Sequence, residues 1–482
     1  MSFDYSTFLS PFTWRYGSEE MRSLFSELEY RALWRKIWRA LAEAQAEWGL
    51  ISEEELKEIR EKAEKEHIDL ELSHKLEREI KHDLMAELKV FSQQCSKGGG
   101  KLHLGATSMD VEDNAEVLRM RRALDLLLTR LVNCLHALSL RIREHKDTIC
   151  MGWTHLQPAE PTTLGYRLAL YAQDLLIDLR AVEILLSEFL KGKGMKGAVG
   201  TSASFKRLLE GKARPEELEA RVMEKLGLSY FTVSGQTYPR KQDFIVLSVL
   251  AGIAQSAHKF GADLRHTHSP LWGEVYEPIG EKQVGSSAMP FKRNPVLSER
   301  MCSLARYVAS LPRVAWENAS HTLFERTLDD SANRRVILAE GFLAVDEILI
   351  LYQHLVEGME VNKTMIDRNL KLFFPFSALE PLLMVLVKKG GNRQELHERL
   401  RRLSSMAWER IREGGENPLP SLLKEDPSVG PLLTEEEWEE ILDPSKHLGD
   451  AVERCERFLE REIDPVLAKY SDRLGKKVPP SF

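Results

Sequence analysis

Apolar residues recur at three- and four-residue spacing over long stretches of this chain, which is the pattern of amphipathic helices. The clearest stretch runs from about residue 114 to residue 145, where arginines and acidic residues fill much of the remainder. Similar patterns predict helices over 162–191, over 242–264, and after Pro295 and Asp330. Several of these exceed the usual length of a globular helix, so we expect an elongated helical bundle.

Two of these segments, 244–254 and 342–352, are apolar on nearly all sides. A helix of that kind must be surrounded by protein, so the pattern predicts association of subunits. The run 244–254 stops at Gln255 and is too short to span a bilayer.

Strand patterns are sparse, and residues 230–233 are the one short candidate. The sequence therefore predicts an all-α fold with three helical domains: residues 1–111, a central long-helix bundle over 112–364, and residues 365–482. A glycine-rich turn lies in the first part, and the third is rich in proline and charge.

Composition adds limits on function. A chain of 482 residues with 43% hydrophobic and 29% charged residues is typical of a globular protein with several domains. The net charge of −7 argues against general nucleic-acid binding, so any anionic ligand must be held by a local cluster of cations. Five cysteines without a CxxC pair indicate neither a disulfide framework nor a zinc site. With no signal-peptide pattern, a reducing, cytoplasmic location is expected.

Several familiar motifs fail on their context. Residues 192–197 match GxGxxG but follow a helical pattern rather than a strand, so a dinucleotide site is not predicted. Residues 98–101 lack the hydroxyl residue of a phosphate loop. His266 and His268 have no convincing partners for a metal.

The segment 285–295 reads Gly-Ser-Ser-Ala-Met-Pro-Phe-Lys-Arg-Asn-Pro. Its two prolines exclude a helix interior, and it does not alternate like a strand. We expect a loop with a pivot at Gly285 that presents Ser286, Ser287, Lys292 and Asn294 to an anionic group. An ordinary polar connection is the alternative, and the ordered mixture of hydroxyls, cation and amide disfavours it.

Further polar segments interrupt the helices at 81–83, 103–108, 154–158 and 234–237. Each is weak evidence alone, because hydroxyl residues before a helix usually cap it. Over 325–335, Ser331 and Arg335 are one helical turn apart and share a face, which suits a phosphate. An ordinary helix of mixed charge would have the same spacing.

Together these segments resemble the fumarase/aspartase superfamily, whose motif GSSxMPxKxNP is matched at every fixed position of 285–295, hereafter the signature loop. Within the superfamily the chain most resembles the adenylosuccinate lyase family, particularly its animal type, in which Tyr is usual at the position of Phe291. The segments 15–16, 81–86, 103–108, 234–238 and 326–335 extend the resemblance, which covers about residues 10 to 360. The C-terminal part carries no matching motif.

The resemblance implies a homotetramer with a central helical core and active sites built from three subunits. It also implies two β-eliminations of purine biosynthesis that release fumarate. One converts adenylosuccinate to AMP, and the other converts the succinylaminoimidazole carboxamide ribotide SAICAR to AICAR. The expected partners are these small nucleotides, with no cofactor, metal, nucleic acid or membrane.

By the same resemblance, Ser286 is the general base and His155 the general acid, with His82 as the next candidate for the acid. The resemblance assigns the succinyl carboxylates to one set of polar side chains: Lys292, Asn294, Thr107, Ser108, Thr154 and Gln236. It assigns the nucleotide phosphate to a second set: Arg15, Tyr16, Arg326, Ser331 and Arg335, with Arg300 nearby. Lys81, His82 and Asp83 are expected to be supporting substrate contacts.

Other enzymes of the superfamily are the nearest alternatives: argininosuccinate lyase, fumarase and aspartase. None of them needs a phosphate pocket, so Arg15, Arg326, Ser331 and Arg335 favour the nucleotide substrate. A catalytically silent structural relative and a helical scaffold for protein partners are alternatives of another class. The intact set of Ser286, Lys292, Asn294 and His155 argues against the silent relative, whereas the scaffold predicts that no fumarate is released.

Overall fold

The computed structural model describes residues 4, 6–280 and 282–480, and the all-α prediction is confirmed. The described chain has 19 α-helices and four short strands. The first helices, α1 to α9, are Glu19–Leu24, Glu27–Glu47, Glu53–Lys62, Leu70–Ile80, Asp83–Gln94, Ser108–His145, Leu164–Ile184, Ala203–Leu209 and Pro215–Leu226. Helices α10 to α19 are Lys241–His268, Val296–His321, Ser331–Gly358, Lys363–Ser377, Leu379–Lys388, Arg393–Arg412, Leu419–Glu425, Glu435–Ile441, Ala451–Phe458 and Asp464–Lys469. Strands β1 to β4 are Ile149–Thr154, Gln157–Thr163, Val275–Tyr276 and Glu360–Val361.

The five long helices α6, α7, α10, α11 and α12 pack together as the central bundle. Helix α6 begins at Ser108, several residues before the predicted start, because a capping box stops its first turn from fraying. The backbone N–H of Thr107 donates to Asp110 Oδ2 at 2.9 Å in this box. Helix α7 is shorter than predicted, since its α-helical hydrogen bonds change to a π-helical turn at Leu185–Phe189.

The predicted strand over 230–233 is wrong, because Tyr230 makes only an isolated bridge to Gly192. A β-hairpin that the pattern did not predict joins α6 to α7 instead. In it, β1 and β2 pair antiparallel with Thr154 opposite Gln157. Glycine and two prolines within 152–161 break the alternation by which a strand is recognised in a sequence.

Helix α12 forms the centre of the core, and its apolar segment 342–352 is buried throughout, as the pattern predicted. The other apolar segment, 244–254, leaves Phe244, Ile245 and Val249 only half-buried. Helix α7 also exposes Leu170, Ile177 and Ile184, each one heptad from the next, with 52%, 57% and 47% of their surfaces accessible. Such a stripe is typical of a helix that packs against another helix.

Three helical stretches are long and apolar enough to cross a membrane on length and composition alone: Ser108–His145, Lys241–His268 and Lys363–Lys388. The expectation drawn from the uninterrupted run at 244–254 was therefore incomplete, since a spanning window tolerates a few charges. In the first stretch 78% of the apolar window is buried inside the fold, against 50% and 33% in the others. Its apolar composition therefore supplies the core.

Candidate active site

The N-termini of α5, α6 and α12 bring several predicted site residues together at one end of the bundle. Arg335 Nη2 donates to Asp83 Oδ2 at 2.7 Å, which joins α12 to α5. Ser108 Oγ lies 3.4 Å from His82 Nε2, which joins α6 to α5. Lys81 precedes them in the left-handed conformation that ends α4. We call this group, with Gln236, Arg326 and Ser331 described below, the helix-start cluster.

The charges of the helix-start cluster shift the pKa values of two acids in opposite directions. Burial alone would raise the pKa of Asp83, but the hydrogen bond and charge of Arg335 outweigh it and lower that pKa. Burial, followed by the charges of Asp83 and Asp113, raises the pKa of Glu112 to about 7. Glu112 was missed in the sequence, although it lies one helical turn after Ser108 on the same face.

A buried ion network lies beneath the cluster and fixes the loop that carries Gln236. Arg240 Nη1 donates to Asp113 Oδ1 at 3.0 Å, and Arg240 Nε donates to Asp330 Oδ2 at 2.6 Å. The backbone N–H of Tyr238 donates to Asp113 Oδ2 at 2.8 Å. Because these side chains are buried, the loop, α6 and the start of α12 are held in one arrangement.

A second arginine extends the network along α12. Arg334 Nε donates to Asp243 Oδ2 at 2.6 Å, and its Nη2 donates to the Tyr238 hydroxyl. That hydroxyl donates in turn to Asp243 Oδ1 at 2.5 Å. These residues were not predicted, since nothing in a single sequence relates acids on α6 and α10 to arginines far along the chain.

The segment before α12 brings Arg326 and Ser331 to the same end. The backbone N–H of Gln236 donates to the Glu325 carbonyl at 3.0 Å, so the Gln236 loop lies against this segment. Arg326 Nη1 is buried and has no hydrogen-bond partner among the residues that the structure describes. Burial first, and then the charge of Arg240, lowers the pKa of Arg326. An anion bound here would satisfy that nitrogen.

The rejected GxGxxG segment at 192–197 supports Thr107 and Ser108 from below. Lys193 is buried and pairs with Asp110, the acid of the capping box that begins α6. The backbone N–H of Lys196 donates to Asp110 Oδ1 at 3.0 Å. One carboxylate therefore holds both the helix start and this loop, which is a structural role.

Tyr16 and Arg300 approach each other at a second place, part-way along the bundle, and Arg15 is the neighbour of Tyr16 in the chain. The Arg300 guanidinium lies 6.0 Å from the centre of the Tyr16 ring, and its Nη1 is 3.9 Å from Glu347 Oε1. The guanidinium of Arg15 lies over the Trp14 ring at 5.5 Å. The backbone N–H of Gly17 donates to Glu347 Oε2 at 3.1 Å, so α12 anchors this segment. Burial raises the pKa of Glu347 to about 7.

His155 lies at the tip of the β1–β2 hairpin, where it is exposed together with Thr154. His155 and Leu156 both have left-handed backbone, with φ of 53° and 58°. Two successive positive φ values are the geometry of a tight hairpin turn, which usually uses glycine or asparagine. The turn therefore projects the His155 ring away from its own chain.

The signature loop lies after β3 and before α11. Ser286 Oγ accepts from the backbone N–H groups of Ala288 at 3.4 Å and Met289 at 3.1 Å. Asn294 Nδ2 donates to the Gly285 carbonyl at 2.9 Å, and Lys292 is exposed. Gly285 does not have positive φ; glycine is needed there because a Cβ would collide with the Lys292 carbonyl oxygen.

The predicted residues do not converge within one chain. Helix α12 has Ser331 and Arg335 at its start, whereas its last residue, Gly358, packs against Pro278 at the base of the signature loop. The 28 residues of α12 span about 40 Å at a rise of 1.5 Å per residue. Among the described residues, no hydrogen bond or ion pair connects His155 or Ser286 with the helix-start cluster.

The described part of the chain offers no set of ligands for a metal ion. No group of three or more His, Cys, Asp or Glu side chains there could hold a metal ion. Most of the predicted site residues are instead cations and hydrogen-bond donors, which suit carboxylates and phosphate.

Comparison with known proteins identifies the family on both parts of the chain. The family model described as Lyase matches residues 18–309, and the model described as Adenylosuccinate lyase C-terminus matches residues 375–458. The chain is 40% identical to the adenylosuccinate lyase of Schistosoma mansoni over 477 residues, which are 98% of each chain. Identity to the adenylosuccinate lyase of Saccharomyces cerevisiae is also 40%, with the same coverage. For the enzyme of Pyrococcus horikoshii it is 37%, covering 93% of this chain and 97% of the relative.

Solved structures give the same result for the fold. The 3-carboxy-cis,cis-muconate lactonizing enzyme of Pseudomonas putida superposes with a TM-score of 0.83 and 27% identity, covering 94% of this chain and 98% of that one. A fumarate lyase from a Mesorhizobium species superposes with a TM-score of 0.80 and 25% identity, at the same coverage. From the full-length identities and the two family matches, the chain belongs to the adenylosuccinate lyase family of the fumarase/aspartase superfamily.

Proposed function

We propose that this chain catalyses the β-elimination of fumarate from adenylosuccinate, which gives AMP, and from SAICAR, which gives AICAR. The observation that carries the proposal is the 40% identity to relatives named adenylosuccinate lyase over 98% of both chains. The C-terminal match is to a model specific to that name, although this part carried no motif that could be read from the sequence.

Ser286 removes the proton from the carbon beside the substrate carboxylate. A serine hydroxyl is too weakly acidic to ionise unaided, so its alkoxide needs stabilisation. The N–H groups of Ala288 and Met289, at 3.4 and 3.1 Å from Oγ, favour the charged form, as does the positive charge of Lys292 in the same loop. Removal of this proton builds a doubly charged aci-carboxylate.

Lys292, Asn294 and Gln236 bind the succinyl carboxylates, with the hydroxyls of Thr107, Ser108 and Thr154. Donors aimed at the charge as it develops lower the barrier most. In the single chain one N–H of the Asn294 amide donates to the Gly285 carbonyl, which leaves its second N–H to contact substrate. His155 donates a proton to the departing nitrogen while the C–N bond breaks.

The phosphate of the nucleotide binds to cations and hydroxyls from different chains: Arg326, Ser331 and Arg335 of one chain, with Arg15, Tyr16 and Arg300 of another. The buried Nη1 of Arg326, which has no partner in the described part of the chain, supports this assignment. Lys81, His82 and Asp83 assist, with Asp83 orienting Arg335 through their 2.7 Å ion pair.

The protein assembles as a homotetramer in which several chains contribute to each site. Two observations support this assembly. The signature loop and the helix-start cluster lie at opposite ends of bundle helices that span about 40 Å. The heptad stripe Leu170, Ile177 and Ile184 leaves an exposed apolar seam on α7.

The three-part division at 1–111, 112–364 and 365–482 belongs to the same proposal, as does a cytoplasmic location. The boundary between residues 364 and 365 falls in the first turn of α13, which begins at Lys363 shortly after β4 pairs with β3. The end of that part returns to the bundle, since Tyr470 donates to Glu183 Oε1 at 2.5 Å and Arg143 to Asp464 Oδ1 at 2.6 Å. The boundary at residue 364 therefore divides the sequence, but the part after it packs against the central bundle.

The test follows the ultraviolet absorbance of adenylosuccinate with the wild type and with Ser286→Ala. We expect turnover to fall by about 10³-fold or more while substrate still binds. His155→Ala should lose turnover similarly, and His266→Ala, an exposed histidine on α10, serves as its control. An active Ser286→Ala variant refutes the base assignment, and an active His155→Ala variant shifts the acid role to His82. Cleavage of argininosuccinate but not adenylosuccinate refutes the substrate.

Shared sites are tested by co-expressing Ser286→Ala with Arg335→Ala. Each variant alone should be inactive, whereas mixed tetramers should regain activity because some sites receive Ser286 from one chain and Arg335 from another. Absence of any regained activity in confirmed mixed tetramers contradicts the shared site.

A further inference from the structure

His268, which ends α10, is buried and uses both ring nitrogens. The residue is only 5% exposed. The backbone N–H of Glu277 donates to His268 Nδ1 at 3.1 Å, and His268 Nε2 lies 2.8 Å from the Arg293 carbonyl oxygen. Because Nδ1 accepts a hydrogen bond, the ring proton is on Nε2, and Nε2 donates a hydrogen bond to the Arg293 carbonyl oxygen. The Tyr276 ring packs edge-on against the imidazole, with 5.2 Å between the ring centres, and this contact fixes the plane of the imidazole.

Glu277 makes a second set of bonds to the same part of the chain. Its Oε1 accepts from the backbone N–H of Leu297 at 3.1 Å. Its Oε2 accepts from the backbone N–H of Ser298 at 3.0 Å and from Ser298 Oγ at 2.8 Å. A carboxylate at the first turn of a helix is favoured by the unpaired N–H groups and by the helix dipole. Glu277 therefore caps α11 from outside the helix, because the N-cap residue Pro295 has no side-chain group that could do so.

These bonds tie the two ends of the signature-loop region to each other. Glu277 precedes the loop, while Arg293, Leu297 and Ser298 follow its tip. The Arg293 carbonyl belongs to the peptide that connects Arg293 to Asn294, and Lys292 is the residue before it. The orientation of that peptide therefore sets where Lys292 and Asn294 leave the framework.

We propose that His268 is a positioning residue for the elimination, which acts by holding the Arg293 peptide so that Lys292 and Asn294 meet the substrate carboxylate. The inference rests on the function proposed above for those two residues. A displacement of about 1 Å at a catalytic contact lowers turnover by about 10²-fold. Loss of the His268 bond therefore lowers kcat more than it raises KM, since it disturbs the geometry of the transition state rather than the contacts that hold the phosphate.

Two conservative variants separate the two bonds of the ring. In His268→Gln the amide nitrogen can occupy the place of Nε2 and donate to Arg293. In His268→Asn the amide oxygen can occupy the place of Nδ1 and accept from Glu277, but no donor reaches Arg293. His268→Phe keeps the ring volume and makes neither bond. The control is His266→Phe, at an exposed ring whose Nδ1 lies 2.8 Å from the Ala262 carbonyl oxygen of its own helix.

The experiment measures kcat and KM on adenylosuccinate for the four variants, with their thermal midpoints and their hydrogen exchange over residues 285–298. We expect His268→Gln to stay within about 3-fold of wild-type kcat and His268→Asn and His268→Phe to fall by about 10-fold or more, with faster exchange in the loop. Should His268→Phe fail to fold, the contrast between Gln and Asn decides. Wild-type kcat and exchange in His268→Asn, or equal losses in Gln and Asn, overturn the inference. A wild type without turnover refutes the proposed function instead, and the exchange measurement still tests the His268 bond.

Discussion

Glu347 lies on α12, where Arg300 and the N-terminal segment cover its carboxyl group, and its side chain has 0% exposure. One oxygen accepts from the backbone N–H of Gly17, while the other has no hydrogen-bond partner among the described residues. Burial raises its pKa from 4.5 to about 7. We expect Glu347→Gln to stabilise the folded protein, and to do so more strongly as the pH rises.

The sign follows from where the proton is bound. Between pH 4.5 and about 7 the folded chain keeps the proton of Glu347, whereas the unfolded chain has released it. Stability therefore falls as pH rises through this window, and the full penalty is present above it. A shift from 4.5 to about 7 corresponds to about 3 kcal/mol at pH 8 and to about 1 kcal/mol at pH 5. Glutamine avoids this penalty and can still accept from Gly17.

Thermal unfolding from pH 5 to pH 8 at one protein concentration measures the effect. With the entropy of unfolding usual for a chain of 482 residues, the midpoint of Glu347→Gln should exceed that of the wild type by about 1 °C at pH 5 and about 3 °C at pH 8. The matched control is Glu360→Gln, an exposed glutamate just beyond the same helix, which should show no such trend. A difference that is constant across this range, or that shrinks as pH rises, would refute the reasoning.

Three further substitutions test other parts of the structure. Gly285→Ala places a Cβ against the Lys292 carbonyl, so kcat should fall by about 10²-fold while the thermal midpoint is kept; normal activity would contradict that close approach. Ile177→Glu puts a charge in the apolar seam of α7, and sedimentation velocity should show smaller species than the wild type, whereas an unchanged assembly would place the interface elsewhere. Arg35→Met leaves the Glu87 carboxylate buried without its 2.7 Å partner and should lower the free energy of unfolding by about 3–5 kcal/mol in urea titrations. Arg35→Met with Glu87→Met should recover part of it, because Lys62 and Gln94 still lose the Arg35 donor, and a larger loss in the double variant would contradict the ion-pair argument.

The bundle could be predicted because its signal is repeated along each helix. The spacing of apolar residues over 114–145 and 342–352 is local information, and a buried face must have it. The hairpin at 149–163 could not be predicted in the same way. The two strands hydrogen-bond to each other, and their residues show no periodic pattern in the sequence. The turn at His155 uses a left-handed backbone conformation that the residue types there do not predict.

The candidate site was predicted as a set of residues but not as a geometry. Ser331 and Arg335 share a helix face, so their proximity could be inferred from spacing alone. Their relation to Asp83, or that of Arg240 to Asp113, depends on side chains more than a hundred positions apart, which only packing brings together. Glu112 is intermediate: its spacing from Ser108 was visible, but its raised pKa depends on Asp83 and Asp113.

The length of the bundle has a consequence for how the activity depends on dilution. If the signature loop of one chain serves the helix-start cluster of another, as proposed, an isolated chain holds two half-sites and no working centre. Specific activity would then fall in proportion to the fraction of chains that dissociate, and substrate, by bridging two chains, would draw the free chains back together. Enzyme assayed at nanomolar concentration would show a lag that shortens as either protein or substrate is increased.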